Sequence, residues 1–360
     1  MQLSTTKSRN HSFRLGFLFW AIALTIILIA TIIGAIAIGS TYIEPGVVYK
    51  VLLNKLSNGN LFSGDMNVMF ESIIWEIRFP RVILGAVCGA GLALCGVLMQ
   101  CVTKNPIAEP YVLGISSGAS AGAVAVIVLG GISSLGINTI SAGAFVGSIV
   151  SGVLVFAIGT QMGRTTSTTR LVLTGMAIST IFGAITNLLI YAAENSNQAK
   201  NAIFWTVGSL GGAKWSVLLL PTIMLVIVLV ISIFISKSLD ILLLGDDSAI
   251  ILGINVKFMK SVILILSTLL ISTIVAVTGA IGFIGLVIPH ICRTIAGSDH
   301  KKLIVLSSLI GAIFLIISDI LARGLFPPIE IPIGIITALV GGPFFLYLIC
   351  KKDYAFGGNE

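Results

Sequence analysis

Charged side chains are scarce in this chain, so the few that fall in or beside apolar stretches are the first candidates for chemistry. Asp319 stands four residues before Arg323 in an otherwise apolar run, a spacing that lets the two pair on one helix face. A carboxylate inside a membrane-length segment marks a possible ion or proton relay, yet one acid with a local basic partner is thin support for ion coupling. Arg78 and Arg81 bracket Phe79-Pro80 at the head of another apolar run. Fixed charges there can steer and register an acidic partner, or anchor a helix end to lipid phosphate. Asp246 and Asp247 precede Ser248-Ala249, which places two acids at the start of a short helix, where its dipole favours them. Ile250, Ile251, Leu252 and Ile254 surround Gly253 in the same stretch. A solvated turn needs no such residues, so they point to burial against a partner.

Other chemistries are excluded. There is no GxxxxGK[ST] string, so the chain lacks a phosphate-cradling loop of its own. His290 follows Pro289 with no second histidine or carboxylate at helical spacing, and His11 and His300 lie near the ends of apolar segments. No serine is paired with a base in a nucleophile arrangement. Cys88, Cys95, Cys101, Cys292 and Cys350 all fall in or at apolar segments without metal-ligand spacing and read as packing residues. No catalytic residue, metal site or cofactor is expected.

The elements that must position these residues are membrane helices. The 360 residues are 56% hydrophobic and 10% charged, more apolar surface than a soluble domain can hide. Segments near 15–38, 81–102, 112–130, 141–161, 170–192, 216–236, 260–278, 279–296, 303–322 and 332–350 are long enough to be candidate spans. The expected fold is all-α and polytopic, with about ten spans in one transmembrane domain covering 1–360. With the N-terminus inside, most lysines and arginines fall on the inner side. Both termini are therefore expected in the cytoplasm, with residues 1–14 as a short tail and 244–254 as a cytoplasmic loop. The net charge of +7 then reflects topology and not nucleic-acid binding. Arg78, Arg81 and Arg323 stand out, because they lie on the outer side against the usual bias.

Small residues recur at every fourth position: Gly114, Gly118 and Gly122, Gly85 and Gly89, and Gly143 and Gly147. That spacing forms grooves that let helix backbones approach closely in lipid.

Seven strings in order carry a family likeness. They are Arg78-Phe79-Pro80-Arg81, Asn105-Pro106-Ile107-Ala108-Glu109-Pro110, Leu113-Gly114-Ile115-Ser116-Ser117-Gly118, and Phe204 to Leu210. Leu244-Gly245-Asp246-Asp247-Ser248-Ala249 with Leu252-Gly253, Gly282 to His290, and Glu330 to Gly334 leading to Gly341-Gly342-Pro343 complete the set. With them the chain resembles, over about residues 70–350, the permease subunits of bacterial ABC importers for iron–siderophore complexes, haem and cobalamin, of the type II importer class. The resemblance implies ten helices per subunit and a bacterial cytoplasmic-membrane location. Its implied partners are a second permease subunit, two cytoplasmic ATPase subunits and an extracytoplasmic substrate-binding (lipo)protein. It implies that Arg78, Arg81 and Arg323 dock that binding protein. Asp246, Asp247, Ser248, Ala249 and Gly253 would couple to the ATPase, while Asn105, Ile107, Thr168 and Thr169 would form cytoplasmic gates. Asn105 and the threonines could instead cap the helices that follow. Iron–siderophore is the expected cargo, ahead of haem and cobalamin, because it is the commonest for such permeases. A secondary transporter would need paired intramembrane acids or broken helices in repeated halves, and an intramembrane enzyme would need a nucleophile with its base.

Overall fold

The computed structural model describes residues 3–39, 43–57, 68–130, 136–160 and 168–350, and these form helices with no β-strand among them. In chain order the helices are α1 (Leu3–Ala37), α2 (Pro45–Leu56), α3 (Val68–Ser72), α4 (Phe79–Thr103), α5 (Ile115–Leu129), α6 (Gly136–Thr160), α7 (Thr168–Tyr191) and α8 (Ser196–Val207). They continue as α9 (Trp215–Phe234), α10 (Ser236–Leu242), α11 (Asp246–Ile251), α12 (Val256–Thr278), α13 (Ile284–Ala296), α14 (His300–Gly324) and α15 (Ile333–Cys350). Each of the ten predicted apolar segments overlaps one of these helices. Among the described residues, seven helices are long and apolar enough to cross a membrane, while Ile115–Leu129, Ile284–Ala296 and Ile333–Leu348 are apolar but shorter. The expected N-terminal tail is helical from Leu3 onward, as the first turns of α1.

Helix α4 is the central rod. Nearly every side chain from Pro80 to Thr103 is buried, against α14, α12, α13 and α9. The predicted segment began near residue 81, but the helical path already starts at Val68 and passes through a π-helical turn, Ile73–Arg78. Pro80 supplies the reason. It has no N–H to continue the ladder, and the wider turn just before it lets the Phe79 N–H reach the Ile74 carbonyl five residues back. Arg78 and Arg81 therefore sit within a continuous helical path rather than in a loop before one.

Glycine sets the closest approaches. A Cβ at Gly118 would collide with the carbonyl oxygen of Gly147, and one at Gly122 with that of Gly143, so α5 and α6 pack backbone to backbone. Gly89 and Gly311 do the same for α4 and α14. In lipid, such contact provides the van der Waals packing that holds helices together.

The chain breaks sharply between α12 and α13. Gly279 and Phe283 both take positive φ, 69° and 71°. Two side chains from the connection between α4 and α5 hold this break. The Ile281 N–H donates to the Tyr111 hydroxyl, and the Phe283 N–H to the Glu109 carboxylate. Burial pushes the Glu109 carboxyl above its ordinary range, and the Phe283 N–H opposes that shift. Pro289 lies inside α13 and frees the Gly285 carbonyl, which the Gln100 side-chain amide approaches at 3.4 Å. His290 stands edge-on to Phe344.

Candidate functional site: charge clusters at both ends of α4

At the first end of α4 the structure brings Arg78, Arg81 and Arg323 together, and all three are buried. Arg81 Nε lies 3.0 Å from Asp319 Oδ1, and its Nη1 lies 2.8 Å from Glu330 Oε2. Arg323 Nε lies 2.9 Å from Asp319 Oδ2, so the expected i, i+4 pair forms and shares its acid with Arg81. The remaining donors turn to the end of α1. Arg78 donates to the carbonyls of Ile36 and Ala37, and Arg323 to those of Ala35 and Ile38. These are the carbonyls that a helix C-terminus leaves without intrahelical partners. Gly39 passes so close to the Arg78 guanidinium that a Cβ there would overlap it. The cluster thus ties α1, α4, α14 and the segment after α14 into one joint, with Glu330 as its exposed member.

The other end of α4 lies roughly 35 Å away along the helix. There Lys104 adopts the left-handed conformation, φ 50°, and ends the helix by returning its N–H to the carbonyls of Cys101 and Gln100. Its Nζ lies 2.8 Å from Asp246 Oδ1 at the head of α11, and Lys260 Nζ of α12 lies 2.7 Å from Asp246 Oδ2. Burial alone would raise the Asp246 carboxyl, but the hydrogen bonds and charges of the two lysines outweigh it and hold the group below the usual carboxylate range. The neighbouring α10 is tied down as well. Its Asp240 meets His300 Nδ1 at 2.7 Å, at the start of α14, and its Leu239 carbonyl faces the Cys101 thiol.

The other predicted residues fall as follows. Asp247 is exposed, Ser248 half-buried, and Ala249 fully buried. Gly253 takes φ 84°, a left-handed turn that suits glycine, and its N–H returns to the Ile250 carbonyl. Ile250, Ile251 and Leu252 are 59%, 84% and 58% exposed, with Leu244 beside them, whereas Ile254 packs into the core. The α11 segment therefore presents an apolar surface beyond the membrane-length helices. Asn105 accepts the Ile107 N–H at 3.1 Å, closing a tight turn directly after Lys104 rather than capping a helix, and Ile107 is half-buried. Thr168 opens α7, and its side chain lies outside the described residues. Thr169 is exposed.

Sequence reasoning missed Glu330, Lys104, Lys260 and Glu109 as participants. Lys260 carried a usable signal: a lysine inside an apolar segment requires a counter-charge. Nothing local linked Arg81 to Asp319 or Glu330, because they lie 238 and 249 residues further along the chain. Among the described residues, no group of three or more histidine, cysteine, aspartate or glutamate side chains is arranged to hold a metal ion.

The family model described as the FecCD transport family matches residues 26–351. The chain belongs to the FecCD transport family. Among its relatives, the hemin transport system permease protein HmuU of Yersinia pestis is 38% identical over 316 residues, covering 84% of this chain and 94% of that one. The Fe(3+)-citrate import system permease protein YfmE of Bacillus subtilis is 38% identical over 327 residues, covering 91% and 93%. The cobalamin import system permease protein BtuC of Halobacterium salinarum is 37% identical over 283 residues, covering 79% and 74%. A solved structure described as an inward-facing conformation of a putative metal-chelate type ABC transporter superposes with a TM-score of 0.79 at 28% identity, covering 92% of this chain and 98% of that one. This FecCD chain is an all-α, multi-pass protein of the cytoplasmic membrane and is similar throughout to ABC importer permeases.

Proposed function

We propose that the chain is the permease subunit of an ATP-driven importer that carries a ferric siderophore across the cytoplasmic membrane. The observation that carries this reading is the apolar surface of α11. Leu244, Ile250, Ile251 and Leu252 lie exposed on a short helix that begins with two acids, outside the membrane-length segments. Such a patch fits the cleft of a motor subunit, which supplies the ATP chemistry the permease lacks. In this reading two motor subunits bind two permeases, and the second permease is either another copy or a similar chain. Both termini, α10 and α11 lie on the cytoplasmic side.

The Arg78, Arg81 and Arg323 cluster then faces outward and docks a substrate-loaded binding protein. Its three arginines exceed Asp319 and Glu330 by one positive charge, which favours approach of an acidic lobe. The joint also fixes the ends of α1, α4 and α14 that form the docking rim. Asn105 and Ile107, with Thr168 and Thr169, gate the pathway on the cytoplasmic side. ATP closes the motors, α11 moves with them, and the helices tilt to alternate access.

Among the family's cargoes the ferric siderophore takes precedence over haem and cobalamin. The test is uptake by cells that carry the chain with its partners as their sole importer of this kind. Labelled ferric hydroxamate and catecholate siderophores, haem and cobalamin would be compared, and accumulation of haem or cobalamin alone would refute the siderophore assignment.

A further inference from the structure

We propose that Asp246 is a positioning residue, a two-lysine latch that fastens α11 to the Asn105 turn and so converts motion of α11 into motion of the gate. This inference rests on the importer reading above and assigns one side chain a task within it.

Its two carboxylate oxygens serve two different helices. Oδ1 holds Lys104, the last residue before the Asn105 turn, and Oδ2 holds Lys260 in the first turns of α12. The Lys260 side chain is only 5% exposed, so its ammonium depends on this one carboxylate, and losing it would strand a buried charge. Asp247, the next residue, is exposed, so the two acids divide their tasks. The carboxylate is ionised near neutral pH, as an aspartate ordinarily is, and the two lysines hold its pKa lower still.

Lys104 is well placed to transmit force. It occupies a left-handed position that ends α4, and one residue later the Asn105 side chain closes on the Ile107 N–H. Displacement of α11 must either drag Lys104 and this turn or break the Lys104–Asp246 pair. The apolar residues Ile250, Ile251 and Leu252 stay exposed for a partner to grip.

The test compares Lys104→Gln and Asp246→Asn with the wild-type chain in two settings. In detergent without partners, amide hydrogen exchange over residues 105–110 should quicken in both variants. In the reconstituted complex, uptake per ATP hydrolysed should fall about fivefold, the upper range for loss of one partly exposed ion pair. The double variant should be no worse than Asp246→Asn, since both substitutions break the same contact. Unchanged exchange in either variant, a wild-type uptake ratio, or a double variant that multiplies the two losses would overturn the latch. Lys104 is partly exposed, so Lys104→Gln keeps the test valid if Asp246→Asn fails to fold. If the wild-type complex shows no ATP-driven uptake, the importer reading fails while the exchange measurement still decides on the latch.

Discussion

Arg81 and Asp319 meet at 3.0 Å across 238 residues of sequence, with both side chains almost wholly withdrawn from solvent. Asp319 is also held by Arg323, so one carboxylate serves two guanidinium groups of opposite helices. Removing it leaves Arg323 without a carboxylate and Arg81 with Glu330 alone. Asp319→Ala should cost about 3–5 kcal/mol of stability, the usual penalty for breaking a buried pair from one side. Thermal unfolding in detergent reads this as a lowered midpoint, and an unchanged midpoint would contradict the joint. Replacing Arg81 and Asp319 together by apolar residues should be milder than Asp319→Ala alone.

Backbone contact between α5 and α6 makes a second prediction. Gly118→Val forces a side chain into the Gly147 carbonyl, while Gly183→Ala on α7 meets nothing within 4 Å. Overpacking of a tight interface typically costs about 1–3 kcal/mol, so Gly118→Val should unfold at a lower temperature and Gly183→Ala should not. Equal midpoints would show that the glycine groove is not needed for packing.

The exposed face of α11 gives a third. Ile251 is 84% exposed in the single chain, so it has little packing to lose. Ile251→Asp should leave the unfolding midpoint within about 0.5 kcal/mol of wild type, yet prevent co-purification of the motor subunit. Recovery of the complex at wild-type yield would remove α11 as the motor contact.

Electrostatic steering at the arginine joint gives a fourth. Glu330→Gln removes one negative charge beside Arg81 while leaving Asp319 in place. Association with an acidic binding protein, followed by stopped flow, should be faster than wild type at low salt and converge with it at high salt. Identical rates at low salt would exclude a docking role for the cluster's charge.

How much of this was legible from sequence differs residue by residue. The Asp319–Arg323 pair followed from helical spacing, and the every-fourth glycines located the α5–α6 contact. The apolar Ile250, Ile251 and Leu252 pointed to a partner, and they are exposed in the single chain. Arg78 and Arg81 read as charges awaiting an external partner, because their internal ones, the carbonyls of α1 and the acids after residue 318, are remote in sequence. Helical spacing carries information over a few residues, whereas tertiary ion pairs do not repeat with any period. Lys260 signalled only that a counter-charge was needed, and nothing local shows that the same aspartate also holds Lys104. The apolar run that bounds the segment near residue 81 does not show the helical entry to α4, which begins at Val68 and passes through a π-helical turn before Pro80.

The central claim is that an external motor drives this permease through α11. Its most direct measurement is uptake of ferric siderophore into proteoliposomes holding the chain, its partner permease and the ATPase subunits, with loaded binding protein on the outside and ATP within. The account predicts accumulation that requires ATP, persists without any ion gradient, and is lost in Ile251→Asp. Uptake that runs without ATP on an imposed proton or sodium gradient, or that survives Ile251→Asp, would contradict it.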